Sequence, residues 1–202
     1  MELILVRHGH TEANHKRVFQ GWLDLSLSEK GRKQAIRLRE ELKNYQFEKI
    51  YVSPLKRALE TAEIIKEGLK TPSEIVKAGA LKEMNFGFWE GLSSDEIQAR
   101  YPEDFQNWLK NWQRVRVPGG ESAIQMFERV RNWVDKILKK HDEDTTLLIV
   151  SHEGVILQMI AYLLGFDLAS SWHFRVDPGS LSVIEIIQGF SILIKLNHVV
   201  EV

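Results

Sequence analysis

The chain has no cysteine. That excludes disulfides, thiolate nucleophiles and cysteine-built zinc sites. Nor is there an excess of one charge: 27 Lys and Arg stand against 28 Asp and Glu, a net charge of -1. Such a balance leaves no basic footprint for nucleic acid and no acidic tail. Any grip on an anion must then come from a few local cations. No apolar run approaches the ~20 residues that cross a bilayer. Residues 1–7 do not read as a signal peptide, because Glu2 stands where positive charge is expected and the apolar run of residues 3–6 is short. The expectation is a cytoplasmic protein with neither membrane nor nucleic acid among its partners. Internal repeats and low-complexity linkers are missing too.

What is present fits one globular unit. Hydrophobic residues make up 44%, enough for a full core, and 202 residues suit one domain, so a single domain over 1–202 is expected. Apolar runs alternate with amphipathic segments. Residues 3–6 read as a strand buried on both faces. Ser28 is placed as the N-cap of a helix to about 44, carrying Ala35, Leu38 and Leu42 at helical spacing. Residues 49–52 read as a second strand. Pro54 is expected to open a helix bearing Leu55, Leu59, Ala62 and Ile65.

The stretch from about 79 to 120 is irregular and rich in aromatics, among them Phe86, Trp89, Trp108 and Trp112. Short helices are expected near 93–100 and 102–112, and the segment reads as a cap-like insertion. After the break at Gly119-Gly120 a long helix runs from 121 to about 140. Residues 146–150 are a buried strand and 154–164 an apolar helix. Strands at 181–187 and 191–196, joined by a turn at Gln188-Gly189-Phe190, form an antiparallel edge hairpin. Strand–helix alternation gives the fold class: α/β, a three-layer α/β/α sandwich whose central sheet is mostly parallel with an antiparallel edge strand.

Ligands bind beyond the carboxyl ends of strands in such sheets. Three strands end in reactive residues: Arg7-His8-Gly9, Ser53-Pro54 with Arg57 one helical turn on, and Ser151-His152. Taken singly, each has an ordinary reading as a turn, a hydrogen-bonded structural histidine or a solvated arginine. Together they bring two imidazoles and two guanidiniums to one edge. A phosphomonoester carries roughly two negative charges near neutral pH. Arginine meets its oxygens bidentately and keeps its charge, and a neutral imidazole is a covalent nucleophile. The chemistry that suits these residues is phosphoryl transfer, driven by positioning and electrostatics.

The chain resembles the histidine phosphatase, or phosphoglycerate mutase-like, superfamily. The likeness rests on Leu5-Val6-Arg7-His8-Gly9-His10-Thr11-Glu12, on the Gln20-Gly21-Trp22 segment, and on Ser53-Pro54-Leu55-Lys56-Arg57-Ala58. Glu83-Met84-Asn85-Phe86-Gly87-Phe88-Trp89-Glu90-Gly91, Gly119-Gly120-Glu121-Ser122 and Val150-Ser151-His152-Glu153-Gly154 complete the set. The resemblance implies a phosphohistidine on His8. It implies that Arg7, Arg57 and His152 bind the phosphate, with Asn14, Gln20 and Gly21 assisting. Glu83 would be the general acid, then the base. No metal and no cofactor is implied, and the partner is a small phosphorylated metabolite.

His10 stands where many relatives carry Glu or Gln; it either tunes substrate choice or sits in solvent. His15, His141, His173 and His198 match no motif. The compact chain favours a phosphatase over a mutase. Its loops are similar to those of α-ribazole phosphatases and metal-independent phosphoserine phosphatases. α-Ribazole 5′-phosphate or a broad range of small esters is expected first, phosphoserine next, and the cofactor-dependent mutase reaction last. A non-catalytic phosphate-binding module is the alternative of another class. The chain is expected to be a monomer or a homodimer.

Overall fold

A computed structural model of the chain describes residues 1–200; the final two residues of the expected 1–202 span lie outside it. Six strands form one sheet: β1 (Glu2–Arg7), β2 (Lys49–Val52), β3 (Glu74–Lys77), β4 (Thr146–Ser151), β5 (Ser180–Ile187) and β6 (Phe190–Val199). Their order in space is β3-β2-β4-β1-β5-β6. The β3, β2, β4 and β1 pairings are parallel, and β5 runs antiparallel to β1 and to β6. The expected sandwich with an antiparallel hairpin at one edge is therefore what forms.

Among the described residues, seven α-helices accompany the sheet: α1 (Glu12–Lys16), α2 (Glu29–Leu42), α3 (Lys56–Glu67), α4 (Ser94–Arg100), α5 (Pro102–Lys110), α6 (Ala123–Lys140) and α7 (Glu153–Leu163). The pleat sorts the core onto two faces, because successive side chains of a strand point opposite ways. Ile4, Val6, Ile50, Val52 and Leu148 pack with Leu38 and Ala62 of α2 and α3. Leu3, Leu5, Leu147 and Ile149 pack with Val130, Val134 and Ile160 of α6 and α7. Trp89, Ile97, Phe105 and Val117, from the 79–120 stretch, join that second cluster. Each large aliphatic side chain fully buried this way contributes ~1.5–3 kcal/mol.

Two elements escaped the sequence reading. Helix α1 is a single short stretch capped by Thr11, whose side chain accepts from the Asn14 backbone while the Asn14 side chain reaches back. β3 is a half-exposed edge strand with no buried apolar run. Boundaries shift elsewhere. Pro54 does not open α3, which starts at Lys56, because Pro54 and Leu55 lie in a bend outside the helix. α6 starts at Ala123 behind a Ser122 cap. β6 begins at Phe190, so Gln188-Gly189 alone make the turn, both with positive φ.

Candidate active site

Strand register levels the three reactive ends. Val6 pairs with Val150 and Val52 pairs with Val150, so β1, β4 and β2 finish side by side. The chain then stays aligned: the His8 N–H donates to the Ser151 carbonyl at 3.0 Å and the Ser53 N–H to the Val150 carbonyl at 3.0 Å. Arg7, His8, Ser53, Ser151 and His152 are all buried. Gly9 makes the turn possible at close quarters, since a Cβ there would lie 2.4 Å from the Gly31 carbonyl oxygen.

His8 is held in one tautomer. Its Nδ1 lies 2.7 Å from the Gly9 carbonyl oxygen, which can only accept, so Nδ1 carries the ring proton. Nε2 is then unprotonated, and Arg57 Nε–H donates to its lone pair at 3.3 Å. Burial, and then the charges of Arg57 and Arg7, hold the His8 pKa well below the usual histidine range. The imidazole is neutral at physiological pH and able to act as a nucleophile.

Arg57 is buried at the start of α3. Its Nη1 and Nη2 donate to the carbonyls of Leu23 (2.8 Å) and Gly21 (2.7 Å). Burial pushes its pKa down to about 10, which leaves it charged. Arg7 donates from Nη1 to the Val176 carbonyl at 2.6 Å and pairs through Nη2 with Glu153 at 2.9 Å. Its Nε is buried with no partner among the described residues. His152 stands beside His8, ring centroids 5.1 Å apart. Its Nε2 meets the Ser53 hydroxyl at 2.7 Å, and its Nδ1 is buried and unpaired. Burial, then the charge of Arg57, keeps His152 neutral as well. A buried unpaired polar group costs ~1–3 kcal/mol, and two of them lie around one histidine.

Glu83 faces this group from the loop after residues 79–81. Its carboxylate accepts from the Met84 N–H at 2.9 Å and from the Gly154 N–H at 3.2 Å, in the first turn of α7. Gly154 permits that approach, because a Cβ there would sit 2.6 Å from Glu83 Oε1. Arg7, His8, Arg57 and Glu83 all line one cleft of about 350 Å³. His152 is not among the residues that line the cleft, but its ring adjoins that of His8.

Asn14 and Gln20 also line the cleft, but each spends one side-chain atom on Thr11. Gly21 borders it and grips Arg57 through its carbonyl. His10 points elsewhere: its Nδ1 meets the Ser28 hydroxyl at 2.9 Å, at the cap of α2. His141 is buried between Tyr51 and Glu48, and His15 and His173 are exposed. Among the described residues, no three His, Asp or Glu side chains converge as a metal cluster.

The profile of the histidine phosphatase superfamily (branch 1) matches residues 3–198. The chain belongs to that superfamily. Among curated proteins it is 38% identical over 197 residues to phosphoserine phosphatase 1 of Hydrogenobacter thermophilus, covering 98% of this chain and 92% of that one. It is also 38% identical over 197 residues to the adenosylcobalamin/α-ribazole phosphatase of Salmonella typhimurium, covering 98% and 96%. Among solved structures, a putative α-ribazole-5′-P phosphatase of Escherichia coli superposes with a TM-score of 0.92 at 33% identity, over 100% of this chain and 98% of that one. This histidine phosphatase is accordingly a phosphoric monoester hydrolase acting on small phosphate esters.

Three residues at the site were assigned no role from sequence. Glu153 pairs with Arg7, Ser53 orients His152, and Glu90 ties two loops together by accepting from the Trp22 and Phe86 N–H groups. Glu153 directly follows His152, and Ser53 follows the strand that leads to Arg57; those placements were the available signal. Glu90 lies in the Glu83–Gly91 motif, but its contact to Trp22 spans 68 residues and no local pattern marks it.

Proposed function

We propose that His8 Nε2 attacks the phosphorus of a small phosphate monoester, forming a phosphohistidine as the ester P–O bond breaks. The carrying observation is the unprotonated Nε2 of His8, met by Arg57, with two neighbours, Arg7 and His152, that each hold a buried unpaired nitrogen, Nε and Nδ1. Phosphoryl oxygens would complete both. Ser53, which accepts from the Leu55 N–H, can donate its own hydrogen to His152 Nε2, so that Nδ1 becomes a donor. Arg7, Arg57 and His152 hold the oxygens, while Glu83 protonates the leaving alkoxide. The Glu83 carboxylate then takes a proton from water, whose oxygen attacks phosphorus, releasing phosphate and neutral His8. Asn14 supports the phosphate through its Nδ2, Gln20 through the second hydrogen of its Nε2, and Gly21 supports it through Arg57.

The named relatives suggest two substrate types for this chain, α-ribazole 5′-phosphate and phosphoserine, within a broader tolerance for small esters. No described helix is long and apolar enough to cross a membrane. We read the protein as one domain with residues 79–120 capping the site, working in the cytoplasm as a monomer or homodimer.

The test is direct. Enzyme quenched during turnover of ³²P-labelled ester in EDTA should carry acid-labile, base-stable phosphate. His8→Ala should lose both the label and the turnover of p-nitrophenyl phosphate. Normal turnover by His8→Ala would overturn the proposal.

A further inference from the structure

Away from His8 the cleft changes character. Beyond Arg7 and Arg57, which face the phosphate end, its charged residues are the carboxylates Glu83 and Glu153. No further Lys or Arg lines it. Its outer part is walled by Phe19, Trp108, Trp112, Leu157 and Trp172. Trp112 and Trp172 meet edge to face at 5.6 Å, and Trp108 stands edge to face against Phe19 at 6.4 Å. Tryptophan walls offer large flat contact area, and aromatic rings prefer offset or edge-on neighbours.

One polar group interrupts this surface. Gln158, on α7, lines the cleft while only 4% exposed, and its side-chain oxygen is buried with no partner. Trp108 Nε1 is buried and unpaired in the same wall. Buried polar groups are normally paired, by protein or by what binds there. A helix otherwise apolar over residues 155–161 gains nothing in stability from this glutamine. Its placement is explained by a ligand.

We infer that the outer chamber binds the alcohol half of the ester as an uncharged aromatic or heteroaromatic ring, with the Gln158 amide as its hydrogen-bonding contact. This rests on the phosphatase reading of the same cleft. A carboxylated alcohol is disfavoured, because no cation beyond Arg7 and Arg57 lines the cleft to meet it. The phosphate end supplies affinity common to every ester, so selection falls to this chamber.

The experiment compares primary-alcohol phosphates of similar leaving group: ethyl phosphate, O-phosphoserine, 2-phenylethyl phosphate, 2-(indol-3-yl)ethyl phosphate and its N-methylindole analogue. The arylethyl esters should exceed ethyl phosphate and phosphoserine at least tenfold in kcat/KM, chiefly through KM. The indole should exceed its N-methyl analogue, and Gln158→Leu should bring that ratio close to one. Gln158→Met serves if the Leu variant does not fold. Trp172→Ala, at a position 62% exposed, should raise KM for the arylethyl esters severalfold. Equal efficiency across the panel, with turnover dependent on His8, would overturn the subsite and leave the phosphatase reading intact. Calorimetry on His8→Ala separates the converse case. Selective aryl binding there, with no turnover by the wild type, would keep the subsite and remove the hydrolytic reading.

Discussion

Arg57 caps the lone pair of His8: its Nε–H points at the imidazole Nε2 across 3.3 Å. The same guanidinium is braced by the Gly21 and Leu23 carbonyls. A cation here holds the proposed nucleophile unprotonated and is placed to meet the phosphoryl oxygen of the proposed reaction. Lysine keeps the charge but lacks the planar fork. Arg57→Lys should therefore lower kcat/KM by ~10²–10³. The two abandoned carbonyls should cost ~1–3 kcal/mol each in a denaturant melt if no water replaces the guanidinium. Near-normal kinetics would mean that Arg57 serves packing alone.

The Glu83 carboxylate is the acid–base candidate of the cleft, and a general acid matters most when the leaving alkoxide is poor. Glu83→Gln should reduce turnover of an alkyl phosphate by ~10² or more. The loss on p-nitrophenyl phosphate should be much smaller, because that phenolate leaves without a proton. Equal losses on both esters would count against the role.

Both site histidines are depressed in pKa by burial and neighbouring arginines. The unfolded chain therefore binds protons more readily than the folded one as pH falls below about 6.5. Folding stability should be flat in these groups above that pH. It should decline below it, down to the depressed folded values, by up to ~1.4 kcal/mol per pH unit for each histidine. Imidazole ¹⁵N shifts should show His8 as the neutral Nδ1–H form at pH 6.5. An imidazolium signal for His8 there would contradict the hydrogen bonding described.

Two glycines should separate fold from chemistry. A Cβ on Gly31 would lie 2.1 Å from the His10 carbonyl oxygen, a backbone atom. Gly31→Ala should destabilise by ~1–3 kcal/mol and lower Tm. A Cβ on Gly154 would press on the movable Glu83 carboxylate. Gly154→Ala should keep most of its Tm and lose alkyl-phosphate turnover, in parallel with Glu83→Gln.

The strands that carry the site were legible because β1, β2 and β4 are buried on both faces and so appear as uninterrupted apolar runs. The reactive residues follow those runs directly, which is why Arg7, His8 and His152 could be placed before any contact was known. β3 was illegible because half-exposed Glu74–Lys77 satisfies one neighbour and shows no pattern. Helix α1 was missed because Thr11 and Asn14 build its cap from side chains that usually mark turns. Pro54 suggested a helix start, yet the backbone bends through two more residues first. The bracing of Arg57 by Gly21 and Leu23, and the tie through Glu90, depend on loops meeting in space. Neither composition nor periodicity encodes such meetings locally.

The position of β4 carries a consequence for biosynthesis. This strand is fourth along the chain but lies between β1 and β2. A nascent polypeptide that has not yet emerged past residue 151 has no neighbour to bridge its first two strands. It holds His8 and both arginines without the wall that brings them together. Competence is thus gained late in translation, when a central plank slides between two waiting ones. An N-terminal fragment, however well it keeps its helices, should have no partly active form.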